Sequence, residues 1–180
     1  LNLVFSRTCR RWALQTGITL LLFSNVSFAA PIADYRLKAA ILYNLALFTS
    51  WPDNAMPAGS AFDACFLGAP ELRQGMQELA VTTLLGRRLE LKTVQGSESL
   101  RDCELLVVGP IPREKWDAAR KSLVGSAILT VSDQFEVQDG LMIALKTEGT
   151  GIAFDVDNSA ARAVGLVMSS KILRLARIVR

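Results

Sequence analysis

The chain has 180 residues, with 20 Lys and Arg against 17 Asp and Glu, 51% apolar residues and no histidine. This is the size of one domain, and its apolar content excludes a disordered chain. The lack of imidazole excludes Ser-His-Asp and Cys-His catalysis and His-based metal sites, so no metal or cofactor is expected.

The excess positive charge lies in residues 1–29, where Arg7, Arg10 and Arg11 stand without any acid. An apolar stretch, Ala13 to Phe23, follows the basic region, and Ser27-Phe28-Ala29 places small residues where a signal peptidase reads. These features predict a secretory signal cleaved after Ala29, leaving a soluble, exported domain over residues 30–180. Gln15, Thr16, Asn25 and Pro31 interrupt the run, which argues against an uncleaved anchor. The remainder is formally neutral, lacking the cation excess that nucleic-acid binding requires. Cys9 leaves with the signal, and in an oxidising compartment the remaining pair, Cys65 and Cys103, is expected to form one disulfide.

Leu37, Ile41, Leu45 and Phe48 recur at helical spacing after Asp34, an expected N-cap, and Pro52 ends that helix. Trp51 is either a core lid or a partner anchor. Phe62–Leu67 reads as a buried strand, with a helix from Pro70 to about Ala80, and Arg88–Val94 alternates like a half-exposed edge strand. Glu104–Val108 is a second buried strand, and Trp116, Ala119 and Leu123 line one face of the next helix. Ala127–Val131 is again a buried run. Leu141–Leu145 and Ile152–Val156 form a hairpin around Lys146–Gly151. A short helix capped at Asn158 or Ser159 follows, and Met168, Ile172, Leu175 and Val179 predict a final amphipathic helix carrying Lys171, Arg174, Arg177 and Arg180. That cationic run reads as a solvated face, with contact to lipid or an acidic partner as the alternative.

The fold class is therefore α/β: a single domain with a mixed, mostly parallel sheet of about six strands, helices on both faces, and a C-terminal antiparallel hairpin and helix. A Cys65–Cys103 bridge favours a flavodoxin-like order, with the first strand between the second and third. Asp155 and Asp157 alternate with Val156 and are expected on a solvent face rather than in a catalytic pair. The Gly68 and Gly109 loops end predicted strands, where open sheets bind ligands, but neither has a dinucleotide or phosphate-loop spacing.

Several blocks carry a family resemblance: Leu37-Lys38-Ala39-Ala40 with Tyr43-Asn44-Leu45-Ala46 and Phe48 to Trp51-Pro52; Cys65-Phe66-Leu67-Gly68; Ile128-Leu129-Thr130-Val131; Asp139-Gly140-Leu141-Met142-Ile143; and Asp157-Asn158 through Gly165-Leu166 to Ser170–Ala176. The chain resembles the YfiR family over essentially all residues after the signal. The resemblance implies a periplasmic, non-enzymatic homodimer. Such a regulator binds the periplasmic domain of an inner-membrane diguanylate cyclase and represses it, lowering cyclic di-GMP and biofilm formation. It also implies an outer-membrane lipoprotein antagonist. Cys65 and Cys103 match one family disulfide; a second family pair, near the last hairpin, is absent here. Trp51, Phe154, Asn158, Leu166 and Met168 are the candidate partner-binding residues, with core packing as their other reading. A periplasmic small-ligand module, with a crevice between the Gly68 and Gly109 loops, is the alternative function. A hydrolase would have to rely on carboxylates or lysine.

Overall fold

The computed structural model describes residues 34–96, 100–149 and 151–180. The secretory signal expected over residues 1–29 lies outside them. Helix α1 (Asp34–Leu47) leads through β1 (Thr49–Ser50) to β2 (Phe62–Leu67), α2 (Pro70–Glu78), β3 (Thr83–Leu84), β4 (Arg87–Val94) and β5 (Leu105–Val108). Then come α3 (Arg113–Ser122), β6 (Leu129–Ser132), β7 (Ile143–Glu148), β8 (Gly151–Val156), α4 (Asn158–Ala163), β9 (Val167–Met168), α5 (Ser170–Leu175) and β10 (Ile178–Val179).

Among the described residues the main sheet has eight strands in the order β10-β8-β7-β6-β5-β2-β4-β3. Pairing is parallel from β4 through β2, β5 and β6 to β7, while β7–β8 and β3–β4 are antiparallel hairpins. β2 lies between β4 and β5, the order that a Cys65–Cys103 bridge favours, and the two Cα atoms are 5.9 Å apart. The bridge ties the middle of β2 to the residue that leads into β5. Next to it, the Glu104 carboxylate accepts the Asp63 N–H at 2.6 Å, and burial pushes its pKa above the ordinary glutamate value.

Strands buried on both faces need apolar residues at every position, and alternation then decides which layer each joins. Phe62, Ala64 and Phe66 of β2 join Leu105, Val107, Leu129, Val131, Ile143 and Leu145 beneath α1 and α2. Cys65 and Leu67 point the other way, with Leu106, Val108 and the buried Trp116 of α3. The Trp116 indole N–H donates to the Asp139 carbonyl at 2.9 Å, anchoring α3 to the turn before β7.

The expectation of about six strands falls short because β3 and β10 are two-residue strands, too short to show a periodic signal. The final helix is also shorter than expected. α5 stops at Leu175, Ala176 is extended (ψ 139), and the chain adds β10 beside β8 in parallel instead of continuing a helix to Val179. Met168 and Ile172 are buried as expected, but Leu175 and Val179 are exposed.

This strand changes the role of Asp155. Rather than facing solvent, Asp155 is only 4% exposed and is held by Arg177, whose Nε and Nη2 donate to its two oxygens at 2.9 and 2.6 Å. Arg177 reaches Glu148 as well, so the expected cationic face is broken by an internal ion pair. Hydrogen bonding from Arg177 holds the Asp155 carboxyl below its ordinary value, outweighing the opposite effect of burial. A lowered folded pKa contributes stability above the unfolded value of about 4, and that contribution is lost as pH falls through the folded value. Arg177→Gln should therefore lower the denaturation midpoint at pH 7 and shrink the loss between pH 5 and 2. An acid limb identical to wild type would contradict this role.

Candidate functional site

The two segments most specific to the family resemblance, remote in sequence, meet at one seam. β1 pairs antiparallel with β9, Thr49 opposite Met168 and Ser50 opposite Val167, as a separate two-stranded sheet. The Ser169 N–H extends this contact to the Phe48 carbonyl at 2.9 Å, and Lys171 Nζ lies 5.3 Å from the centre of the Phe48 ring, a cation–π distance. Thr49 closes the end of α1 by donating its hydroxyl to the Leu45 carbonyl at 2.7 Å.

Gly165 is required where α4 turns into β9. Its φ is +82°, and a Cβ there would lie 3.3 Å from Pro52 Cγ, so the Trp51-Pro52 turn packs directly on the bend. Asp157 caps α4 by accepting the Ala160 N–H at 2.8 Å, while the N–H groups of Asn158 and Ser159 donate to the Arg180 carbonyl.

Trp51, Phe154, Leu166 and Met168 are all buried in the same core cluster, and Asn158 is half-buried beside it. Trp51 packs edge-on against Phe62, with ring centres 5.3 Å apart. Among the described residues, the buried Trp51 Nε1 and Ser169 Oγ have no hydrogen-bond partner, so packing holds this part of the seam. The residues that do face outward are Leu47, Val167 and Leu175, the last two 61% and 75% exposed, with Lys171 and Arg174 beside them on α5. Sequence reasoning placed Lys171 and Arg174 on an exposed face but missed that Val167 and Leu175 face outward, because it extended one helical period across a strand, a short helix and a second strand.

Other motif residues have structural partners. Lys38 is held by Asp34 and Asp133 at 2.7 and 2.8 Å, pinning α1 to the end of β6. Burial pushes the Lys38 pKa down, but the hydrogen bonds to these two carboxylates outweigh it and leave the pKa raised. Ala39 faces Gly75 of α2, where any side chain would come within 2.9 Å of its Cβ.

The crevice that the small-ligand alternative would need between the Gly68 and Gly109 loops is filled. A Cβ on Gly109 would lie 2.1 Å from the Gly68 carbonyl oxygen, and one on Gly68 would meet Ile111 Cγ2 at 2.3 Å, so the loops pack directly together. An open cleft of about 460 Å³ lies elsewhere, between residues 58–61 and the β3–β4 turn. Its Arg87 already donates to the oxygens of Met56, Pro57 and Ser60. Among the described residues no three His, Cys, Asp or Glu side chains form a metal-binding group, and no helix is long and apolar enough to cross a membrane.

No curated protein matches this sequence. Two solved structures are similar at low identity. One is a conserved domain protein from Vibrio cholerae O1 biovar eltor, with TM-score 0.48 and 9% identity over 82% of this chain and 60% of that one. The other is an ABC domain in complex with L-Trp from Streptococcus pneumonia, with TM-score 0.46 and 10% identity over 71% of this chain and 57% of that one. The chain thus spans less than two thirds of either structure. The family comparison is extensive: the YfiR/HmsC-like profile matches residues 35–177, taking in α1, the bridged strands and the whole seam. This chain belongs to the YfiR/HmsC-like family, a regulatory and non-catalytic one.

Proposed function

We propose that this protein is a periplasmic repressor of an inner-membrane diguanylate cyclase, exported with loss of residues 1–29 and acting as a homodimer. It binds the periplasmic domain of the cyclase, holds the enzyme inactive and so lowers cyclic di-GMP and biofilm formation. An outer-membrane lipoprotein relieves repression by sequestering it. The observation that carries this reading is the family match over residues 35–177. The composition supports it: a neutral body without histidine is suited to recognition through shape and apolar contact.

A repressor of this kind shifts its target only by the difference in its affinity for the target's two states. The seam offers a surface for that selection. There Trp51, Leu166 and Met168 are buried, while Val167, opposite Ser50, and Leu175 of α5 are exposed.

The test is cellular cyclic di-GMP in a deletion strain and its complemented counterpart, together with co-purification of a membrane diguanylate cyclase on the tagged protein. Deletion should raise cyclic di-GMP, complementation should restore it, and the cyclase should be recovered. Unchanged cyclic di-GMP with no cyclase recovered would overturn the proposal.

A further inference from the structure

The charge of the exported body is divided unevenly along the chain. Residues 30–157 carry 17 acidic and 12 basic side chains, whereas residues 158–180 carry five basic ones, Arg162, Lys171, Arg174, Arg177 and Arg180, and no acid. Overall neutrality therefore conceals a cationic end and an acidic remainder. Arg177 is held by Asp155 and Glu148, and Lys171 lies over the Phe48 ring. Arg180 acts on Asp155 only through space. Arg162 and Arg174 are exposed and have no ion pair or side-chain hydrogen bond among the described residues.

The same end of the chain exposes apolar side chains. Leu175, the last residue of α5, is 75% exposed, and Ile178 and Val179 of β10 are exposed as well. Neighbouring residues of a strand point to opposite faces of a sheet, so a single flat surface meets both only at a margin. β10 is such a margin, flanked by β8 alone. Between Arg174 and Arg180, three exposed aliphatic residues thus alternate with cations.

This composition selects the occupant. Compensation of the helix dipole accounts for Arg174 at the end of α5 but not for the aliphatics beside it. Protein partners are gripped chiefly by Trp, Tyr and Arg seated in pockets, with Leu and Val under-represented. Residues 158–180 hold no aromatic residue, and the open cleft beside the β3–β4 turn is at the opposite margin of the sheet. Aliphatics flanked by long cations suit the interface of an anionic bilayer, where the aliphatics enter the acyl boundary and the cations reach headgroup phosphates. Each cation near such a surface strengthens binding about fivefold. The acidic remainder is repelled by the same surface, which favours one orientation.

We infer that the end of α5 and β10, from Arg174 to Arg180, docks on the surface of an anionic phospholipid bilayer. Leu175, Ile178 and Val179 enter the interface, and Arg174 and Arg180 contact lipid phosphates. The inference goes beyond repression and does not depend on a cyclase.

The experiment is co-sedimentation of the purified protein with phosphatidylcholine vesicles that contain or lack phosphatidylglycerol, at low and high salt. The protein should sediment with the anionic vesicles alone, and salt should release it. Arg174→Glu should weaken binding about tenfold or more, because it exchanges an attraction for a repulsion. Leu175→Ser should weaken it about threefold or more. Lys115→Glu changes net charge equally but lies on α3, in the other layer of the sheet, and should bind as wild type does. All three positions are exposed, so thermal melts should match wild type. Absence of vesicle binding would overturn the proposal, as would equal losses in Arg174→Glu and Lys115→Glu. Binding of poly-glutamate but not of vesicles, lost in Arg174→Glu, would assign the surface to an acidic protein segment instead. Self-association lost in Leu175→Ser, without vesicle binding, would assign it to a second copy. None of these outcomes decides repression, which the cyclic di-GMP measurement tests separately.

Discussion

Replacing Cys65 and Cys103 together by alanine is expected to lower the unfolding free energy by about 4 kcal/mol, the chain-entropy value for releasing a loop of this length. The bridge spans 38 residues, which include α2, β3 and β4. Without it the unfolded chain gains the freedom to separate its two ends, while the folded chain keeps the β2–β5 pairing. Both cysteines are buried against Leu67, Leu106 and Trp116, so loss of sulfur contacts adds to the entropic effect. Against a typical domain stability of about 5–15 kcal/mol, this is a large share. Equilibrium denaturation of the double variant beside the oxidised wild type measures it. A difference below about 1 kcal/mol would show that the bridge does not constrain the unfolded ensemble as this account requires.

The seam yields the second large effect, through two adjacent residues with opposite roles. Leu166 is fully buried and Val167 is 61% exposed. Leu166→Ala should cost about 3 kcal/mol, the usual result of emptying a well-packed leucine site, and any loss of partner binding should follow that loss of fold. Val167→Glu changes an outward position beside Ser50 and should alter stability by no more than about 1 kcal/mol. On the proposed function it should nonetheless reduce recovery of the cyclase and raise cellular cyclic di-GMP. Thermal melts and co-purification of the two variants, run side by side, separate these effects. Wild-type repression by Val167→Glu would remove β9 from the partner surface, and wild-type stability of Leu166→Ala would contradict the packing assigned to it.

Much of the fold was legible because its signals are local. Pro70 begins α2, the Trp116–Ala119–Leu123 spacing defines the buried side of α3, and the unbroken apolar runs of β2, β5 and β6 require a sheet covered on both faces. The strand order also followed, because a bond between Cys65 and Cys103 confines β2 and β5 to adjacent positions. The candidate site was less legible. Apolar character identified Trp51, Phe154, Leu166 and Met168, but an apolar side chain carries no sign of which side of a two-residue strand it occupies. The exposed Val167 and Leu175 were therefore overlooked, and Asp155 was assigned to solvent when Arg177 encloses it.

By itself, the sequence determined the α/β class, the cysteine pairing, the neutral body and the family, since each rests on residue type or short-range spacing. Only the tertiary structure decided that the Gly68 and Gly109 loops fill their own crevice, that the C-terminal cations are divided by an internal ion pair, and that the Trp51-Pro52 turn meets Gly165. The reason is physical: each depends on contacts between segments far apart in the chain, and the exposure of any one side chain is set by what packs over it.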